Sequence, residues 1–201
     1  MRKRTGIVAT VLVAGALLAG GLQPTLAQDA TPIVPDPSEC VVEPRTVDNI
    51  VDLTMNGDYV PDPDIAAGKL PTGEPAPADA VAAIDATMRQ FVACANNNDI
   101  PRMLALLTDN GAQYFLDFES TITEEQLRAM AAVPPSPVAD DEREMFAPLL
   151  DAVLLPDGRI GGLVGTSSPG DAVYVIFKEQ DGLWLGDEII EISGAPATPE
   201  S

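Results

Sequence analysis

The chain from residue 79 to residue 107 reads DAVAAIDATMRQFVACANNNDIPRMLALL. In its first half the apolar residues recur three or four positions apart, which predicts an amphipathic helix. Asp79 is the expected N-cap of this helix. The three asparagines at 96–98 are expected to end it, because asparagine tolerates the left-handed backbone conformation found at helix C-termini.

A second helix is predicted immediately after these asparagines. Asp99 is its expected N-cap, and Pro101 suits the first turn, where a missing N–H costs little. The tripeptide Asp109-Asn110-Gly111 is expected to end this helix. Residues 113–118 are aromatic and predict a short strand. Residues 123–126 form a capping box that predicts a third helix running to about residue 132.

The C-terminal part of the chain predicts a four-stranded antiparallel meander. Turn signals at 156–158 and 181–182 separate segments of alternating apolar residues, and glycines in the second segment favour bulges that let a sheet curve. The predicted strands are residues 148–155, 159–167, 172–179 and 183–192. Helices followed by an antiparallel run predict an α+β fold.

A family resemblance accompanies this pattern. Residues 91–110, FVACANNNDIPRMLALLTDN, resemble the opening helices of nuclear transport factor 2-like (SnoaL-like) domains. The segments ECVVEPR at 39–45 and LPDGR at 155–159 resemble those of uncharacterised secreted members. The resemblance covers residues 79–193, and it implies a cone in which N-terminal helices pack on a curved antiparallel sheet around a pocket.

The N-terminal residues predict export. Residues 1–27 have a basic start, an apolar run and a small-residue cleavage site before Gln28, as in a signal peptide; the alternative is a membrane anchor. Residues 28–78 form a leader rich in Pro and Asp, with one short helical segment near 46–53. Residues 194–201 are expected to be a disordered tail. We therefore expect a secreted, extracellular protein without a membrane contact once the signal is removed.

Charge and cysteine content restrict the partners and the compartment. The net charge of −20 disfavours nucleic acid and anionic lipid as partners. Cys40 and Cys94 are the two cysteines, and in an oxidising compartment we expect them to form a disulfide that ties the leader to the first helix. The alternative is a buried Cys94 and a free thiol at Cys40.

The residue inventory removes several kinds of chemistry. The chain has no histidine, so it lacks Ser-His-Asp and Cys-His nucleophilic systems and His-ligated zinc. No cofactor motif occurs, and no metal or cofactor is predicted. Acidic residues near Asp62 invite a calcium site, but the spacing lacks the further oxygen ligands of a calcium loop, and a solvated linker is favoured.

The candidate site residues follow from the resemblance, which implies a pocket between the helices and the sheet. The catalytic candidates are Asp117, Tyr114 and Asp187, with an Asp as base and Tyr as donor to an oxyanion. Arg102 is a further polar candidate, although it more often pairs with a neighbouring acid. Asp187 and Glu188 are adjacent in a strand, so we expect one to point inward and one outward. The residues expected to line the ligand pocket are Tyr114, Phe118 and Trp184.

Three functions remain at this point. The first is a secreted, non-enzymatic domain that binds a small apolar ligand or a protein partner, such as a second copy through the sheet. The second is an isomerase, dehydratase or hydrolase of the same fold that uses an Asp base and a Tyr. The third is a passive cell-surface component tethered by its leader. The polarity of the pocket discriminates the first two.

Overall fold

The structure is a computed structural model, and it describes residues 33–62, 69–117, 122–165 and 172–191. The predicted signal peptide, the predicted tail and Phe118 lie outside the described residues.

The described chain contains five α-helices, which are α1 (Val47–Asn56), α2 (Ala78–Ala95), α3 (Ile100–Ala105), α4 (Asp109–Asp117) and α5 (Glu124–Ala131). The side chain of Asp99 caps α3 through the N–H of Arg102, and Thr123 forms the predicted capping box of α5. Asn98 takes the left-handed conformation after α2, with φ of 51°. These features confirm the predictions for both ends of the break between α2 and α3.

Three local predictions are wrong. Residues 113–117, expected in a strand, belong to α4, and Asp109 begins this helix instead of ending α3. Ala112 and Leu116 lie four residues apart and are both buried against α1, so tertiary packing overrides the strand preference of the aromatic residues. Asp79 is not the N-cap of α2, because Pro77 occupies that position without a side-chain bond.

The strands form one curved, unclosed antiparallel sheet in the order β1 (Glu74–Pro75), β2 (Leu150–Leu154), β3 (Ile160–Gly165), β4 (Ala172–Gln180) and β5 (Leu183–Glu191). The α+β fold class is thus confirmed. The short first strand was not predicted, and it adds the end of the leader to the edge of β2. The β4–β5 hairpin turns at Asp181 and Gly182, both with positive φ, as the Asp-Gly signal indicated.

The two faces of the sheet carry separate apolar clusters. The helix-facing cluster joins α2 to the sheet through buried side chains, among them Ile84, Ile160 and Phe177. The opposite face carries a smaller cluster of Leu155, Tyr174 and Ile176. Because side chains alternate along a strand, neighbours in β4 such as Ile176 and Phe177 serve different clusters.

The leader is part of the folded body. Ile50 of α1 is fully buried in a cluster with residues of α3, α4 and α5. Cys40 forms the predicted disulfide with Cys94 of α2. The guanidinium of Arg45 also donates to the carbonyls of Leu104 and Leu107. The leader therefore completes the helical layer as well as being held by the disulfide.

Candidate functional site

A β-bulge in β5 brings two acidic residues to one place. Ile176 of β4 pairs with Glu188, and the next residue, Phe177, pairs with Gly186, so Asp187 is the extra residue of β5. A bulge interrupts the alternation of side chains. Asp187 and Glu188 are both buried and both bind one guanidinium. The expectation that one of them points inward and the other outward is therefore wrong.

Arg159, at the start of β3, is the centre of this charged network. Its Nη1 lies 2.5 Å from Oε1 of Glu188 and 3.2 Å from Oδ2 of Asp187. Its Nε donates to Asp157 at 2.6 Å, and its Nη2 donates to Asp62 at 3.0 Å. Only 16% of the Arg159 side chain is exposed. One guanidinium thus joins two strands, a turn and the leader.

The loop between α3 and α4 closes the network from the helical side. The hydroxyl of Thr108 donates to Oδ1 of Asp187 at 2.6 Å, and the backbone N–H of Thr108 donates to the carbonyl of Gly186 at 2.9 Å. The side-chain amide of Asn110 donates to the carbonyl of Asp187. Gly111 approaches the Gly186 carbonyl so closely that a Cβ would lie 2.3 Å from its oxygen. A glycine is therefore needed at position 111.

The leader closes the network from the other side. The N–H of Asp62 donates to Oε2 of Glu188 at 2.9 Å, and the N–H of Val60 donates to the side chain of Asn110 at 3.1 Å. The ring of Tyr59 meets the ring of Tyr114 edge-on, with centroids 5.2 Å apart. These contacts attach the segment after α1 to β5 and α4.

The pKa values of several groups in and beside the network are shifted by burial and by their charged neighbours. Burial, followed by the negative charge of Glu188, raises the pKa of Tyr59 to about 12. Burial alone would raise the pKa of Asp157, but hydrogen bonds from Arg159 and the charge of that residue outweigh it and lower the pKa. Burial alone would lower the pKa of Arg159, whereas its hydrogen bonds to Glu188 and Asp157 raise it. These shifts favour the charged forms of Asp157 and Arg159 and the neutral form of the Tyr59 phenol.

Asp187 is buried and is bonded through both of its carboxylate oxygens. Each of its two carboxylate oxygens already accepts a hydrogen bond, one from Thr108 and one from Arg159. A general base needs an oxygen within reach of a substrate proton. The Asp187 side chain links β5 to the loop between α3 and α4 and to Arg159.

Of the other predicted site residues, Tyr114 lies beside the network through Tyr59, whose pKa is raised by burial and by the charges of Glu188 and Asp187. Tyr114 packs on Tyr59 of the leader, whereas Trp184 packs half-buried against the helix-facing cluster. Arg102 pairs with Asp99 at 2.6 Å and donates to the carbonyl of Val42 at 2.8 Å, so it holds the leader. Asp117 lies in the last position of α4, and its side chain is not among those described.

One half-buried carboxylate was missed in the sequence. Asp85 of α2 is not among the residues singled out in the sequence, yet its Oδ1 accepts the N–H of Leu149 just before β2 at 2.9 Å. Burial raises the pKa of this carboxyl. The helical spacing held a signal, because Val81, Met88 and Val92 lie four before, three after and seven after Asp85.

The half-buried apolar side chains on the helix-facing side of the sheet form a third feature. They pack around the buried cluster that contains Phe177, and they belong to α2, β4 and β5. They include Met88, Val173, Trp184 and Ile189. Glu188 pairs with Ile176 and therefore projects from the opposite face. The apolar cluster and the Glu188 side chain thus lie on opposite faces of the sheet.

Comparisons with protein-family models, with curated proteins and with solved structures give no match to this chain. Among the described residues, none of the helices has the length and apolar character needed to cross a membrane. Within the same residues, no group of three or more acidic or cysteine side chains is arranged to hold a metal ion.

Proposed function

We propose that this protein is an exported, non-catalytic domain of the nuclear transport factor 2-like type that binds a small apolar ligand between α2 and the sheet. The observation that carries the proposal is the separation of the two faces. Apolar side chains occupy the helix-facing side, and the charged network around Arg159 lies on the other side. An apolar site with few polar groups suits binding better than proton transfer.

The two covered faces of the sheet also bear on whether the partner is a small ligand or a second copy of the chain. A homodimer through the sheet would use either the helix-facing side or the opposite face. The helix-facing side is covered by α2. The opposite face is crossed by the leader, since the hydroxyl of Tyr174 donates to the carbonyl of Pro71 and Asp62 binds Arg159. A small ligand therefore fits the structure better than a second copy on the sheet.

The chain contains its own reporter for this ligand. Trp184 is the single tryptophan, and it packs against the helix-facing cluster. Titration of the exported protein with decanol, a neutral apolar probe, should shift the Trp184 emission saturably. A neutral probe avoids repulsion by the strongly negative protein. No change in emission up to the solubility limit of decanol would contradict the proposal.

A matched pair of variants locates the binding site. Met88→Glu places a carboxylate between α2 and the sheet, and it should abolish the response because burying an unpaired charge is costly. Leu163→Glu places the same group in the cluster on the opposite face and should leave the response intact. Circular dichroism checks that both variants are folded. Equal loss in the two variants would place the decanol response elsewhere.

A second candidate function rests on Asp85. Burial raises the pKa of this carboxyl, which is the direction found for many carboxylates that act as general bases. We therefore keep an isomerase, dehydratase or hydrolase of this fold as the alternative. If a molecule retained from the host is converted by the purified protein, Asp85→Asn should stop the conversion without releasing the molecule. Asp187→Asn should not stop the conversion, because this alternative assigns the base to Asp85, and the Asp187 carboxylate is hydrogen-bonded to Thr108 and Arg159.

A further inference from the structure

The segment after α5 is an exposed run of prolines. Residues 133–138 read VPPSPV, and residues 133–137 are all exposed, with Val133 at 59%. Each proline fixes its own φ near −65°, and the residue before a proline is pushed into the extended region. The sequence therefore holds this segment, which we name the proline ridge, close to the polyproline II conformation.

The proline ridge is fixed to the body along one edge. The N–H of Ser136 donates to the carbonyl of Asn97 at 2.9 Å, and the N–H of Val138 donates to the carbonyl of Asn96 at 2.9 Å. The side-chain amide of Asn98 donates to the carbonyl of Ser136 at 3.0 Å. Proline has no backbone N–H, so Ser136 and Val138 supply the backbone donors for these bonds. The exposed edge is thus presented in one conformation, so a partner would not have to order it.

We propose that the proline ridge is a docking motif for a groove lined by aromatic side chains on another exported or surface protein. Pro134 and Pro137 have the P-x-x-P spacing that such grooves bind, because residues three apart lie on one edge of a polyproline II helix. This docking does not depend on the apolar ligand. The proline ridge is anchored to the turn after α2, whereas the ligand is assigned to the helix-facing side of the sheet.

Charge next to the proline ridge specifies the partner further. Asp140, Asp141 and Glu142 follow it and are exposed, with 90% of the Asp140 side chain accessible. Arg143 pairs with Asp140 and neutralises only one of these charges. A groove flanked by lysine or arginine is therefore complementary to this end of the segment, and a groove flanked by acids is excluded by repulsion.

The test is photo-crosslinking from the proline ridge in the full-length exported protein. A benzophenone amino acid replaces Val133, whose side chain is exposed, and the host cells are illuminated. The expected product is a covalent adduct with another protein, mapped by mass spectrometry to a peptide with aromatic and basic residues. The double variant P134A/P137A should lower the adduct yield by about tenfold or more, as expected when two anchor residues are lost. Added poly-L-proline should compete with the adduct.

Two controls separate docking from folding and from chance contact. P135A makes the same chemical change between the two anchor prolines and should retain most of the adduct. The N–H groups of Ser136 and Val138 are untouched in every variant, so each variant should remain folded, with only the small loss of thermal stability that alanine causes by giving the unfolded chain more freedom. An adduct with a second copy of the chain, an adduct indifferent to P134A/P137A, or no adduct at all would each overturn the proposal.

Discussion

Arg159 links more parts of the molecule than any other side chain described above. It binds carboxylates from the leader, from its own turn and from β5. Two of these acids are almost completely buried, because the bulge in β5 turns both Asp187 and Glu188 toward the guanidinium. At the scale of single residues, stability should therefore depend more on this arginine than on surface arginines.

Arg159→Met should lower the free energy of unfolding by about 3–5 kcal/mol, because it leaves two buried carboxylates without a counter-ion. Urea denaturation at neutral pH measures the loss. Arg128→Met is the control, since the Arg128 side chain is 44% exposed and pairs with the exposed acids Asp48 and Glu124. That change should cost about 0–1 kcal/mol. Equal costs for the two variants would contradict this account of the network.

The burial of Asp85 predicts that the stability of the fold depends on pH. Its folded pKa is raised by burial, so folding favours the neutral carboxyl, and that contribution is lost as pH rises through the titration of the carboxyl. Asp85→Asn keeps an oxygen that can accept the Leu149 N–H and has no charge. The variant should therefore melt at a higher temperature than the parent at neutral pH. The difference should vanish in acid, below the ordinary pKa of aspartate. A difference that is constant with pH would contradict the assignment.

At the scale of elements, the sequence underestimated the length and the burial of α1. From the sequence of the leader we predicted only one or two helical turns, flanked by prolines and acidic residues. In the fold this segment is a full helix, and its buried side chains meet those of α3, α4 and α5. Short apolar segments look alike in sequence whether they lie on a surface or in a core, because burial depends on distant residues.

Ile50→Ala tests the place of α1 in the core. Ile50 is fully buried, so the substitution leaves a cavity and should cost about 2–5 kcal/mol of unfolding free energy. Met55→Ala in the same helix is the control, since 41% of Met55 is exposed, and it should change stability by no more than about 0.5 kcal/mol. If Ile50→Ala were equally silent, the leader would not be part of the core.

The disulfide gives a second prediction for the leader. Cys40 and Cys94 are 54 residues apart, and closing such a loop stabilises the fold by about 4 kcal/mol in the chain-entropy model. The double variant C40A/C94A should therefore unfold at lower denaturant concentration. Intact mass before and after reduction and thiol alkylation checks the bond itself. Two free thiols in the exported protein would contradict it.

The C-terminal strands and the turns between them were readable because their signals are local. Asp181-Gly182 and Gly158 adopt the positive φ values that their residue types favour, and the capping residues Asp99 and Thr123 act as their sequence indicates. The first strand and α4 were missed or misread because only distant contacts specify them. Glu74 pairs with Leu154, and Leu116 packs against α1.

The site was harder to read than the fold. Arg159 follows a turn and resembles any surface arginine in sequence, and only the bulge in β5 brings two acids to it. Disulfide pairing was readable because the chain offers a single pair of cysteines. The helical spacing of Asp85 from Val81 and Met88 indicated its half-buried position, but its partner, the N–H of Leu149, lies 64 residues away in the sequence and could not be predicted.

At the scale of the whole molecule, the two faces of the sheet contact different parts of the chain. The face opposite α2 is crossed by the leader and ends at the Arg159 network, whereas the helix-facing side is apolar and borders α2. The proposed ligand binding rests on the apolar side chains between this sheet face and the disulfide-linked α2. The proline ridge adds a separate surface on the turn after α2.

Native mass spectrometry of the protein purified from its own host tests the proposed ligand binding most directly. We expect a species heavier than the disulfide-bonded polypeptide by the mass of one small, water-insoluble molecule, released by organic solvent and lost in Met88→Glu. Leu163→Glu should retain the molecule. A single species at the mass of the polypeptide alone, in the parent and in both variants, would contradict ligand binding between α2 and the sheet.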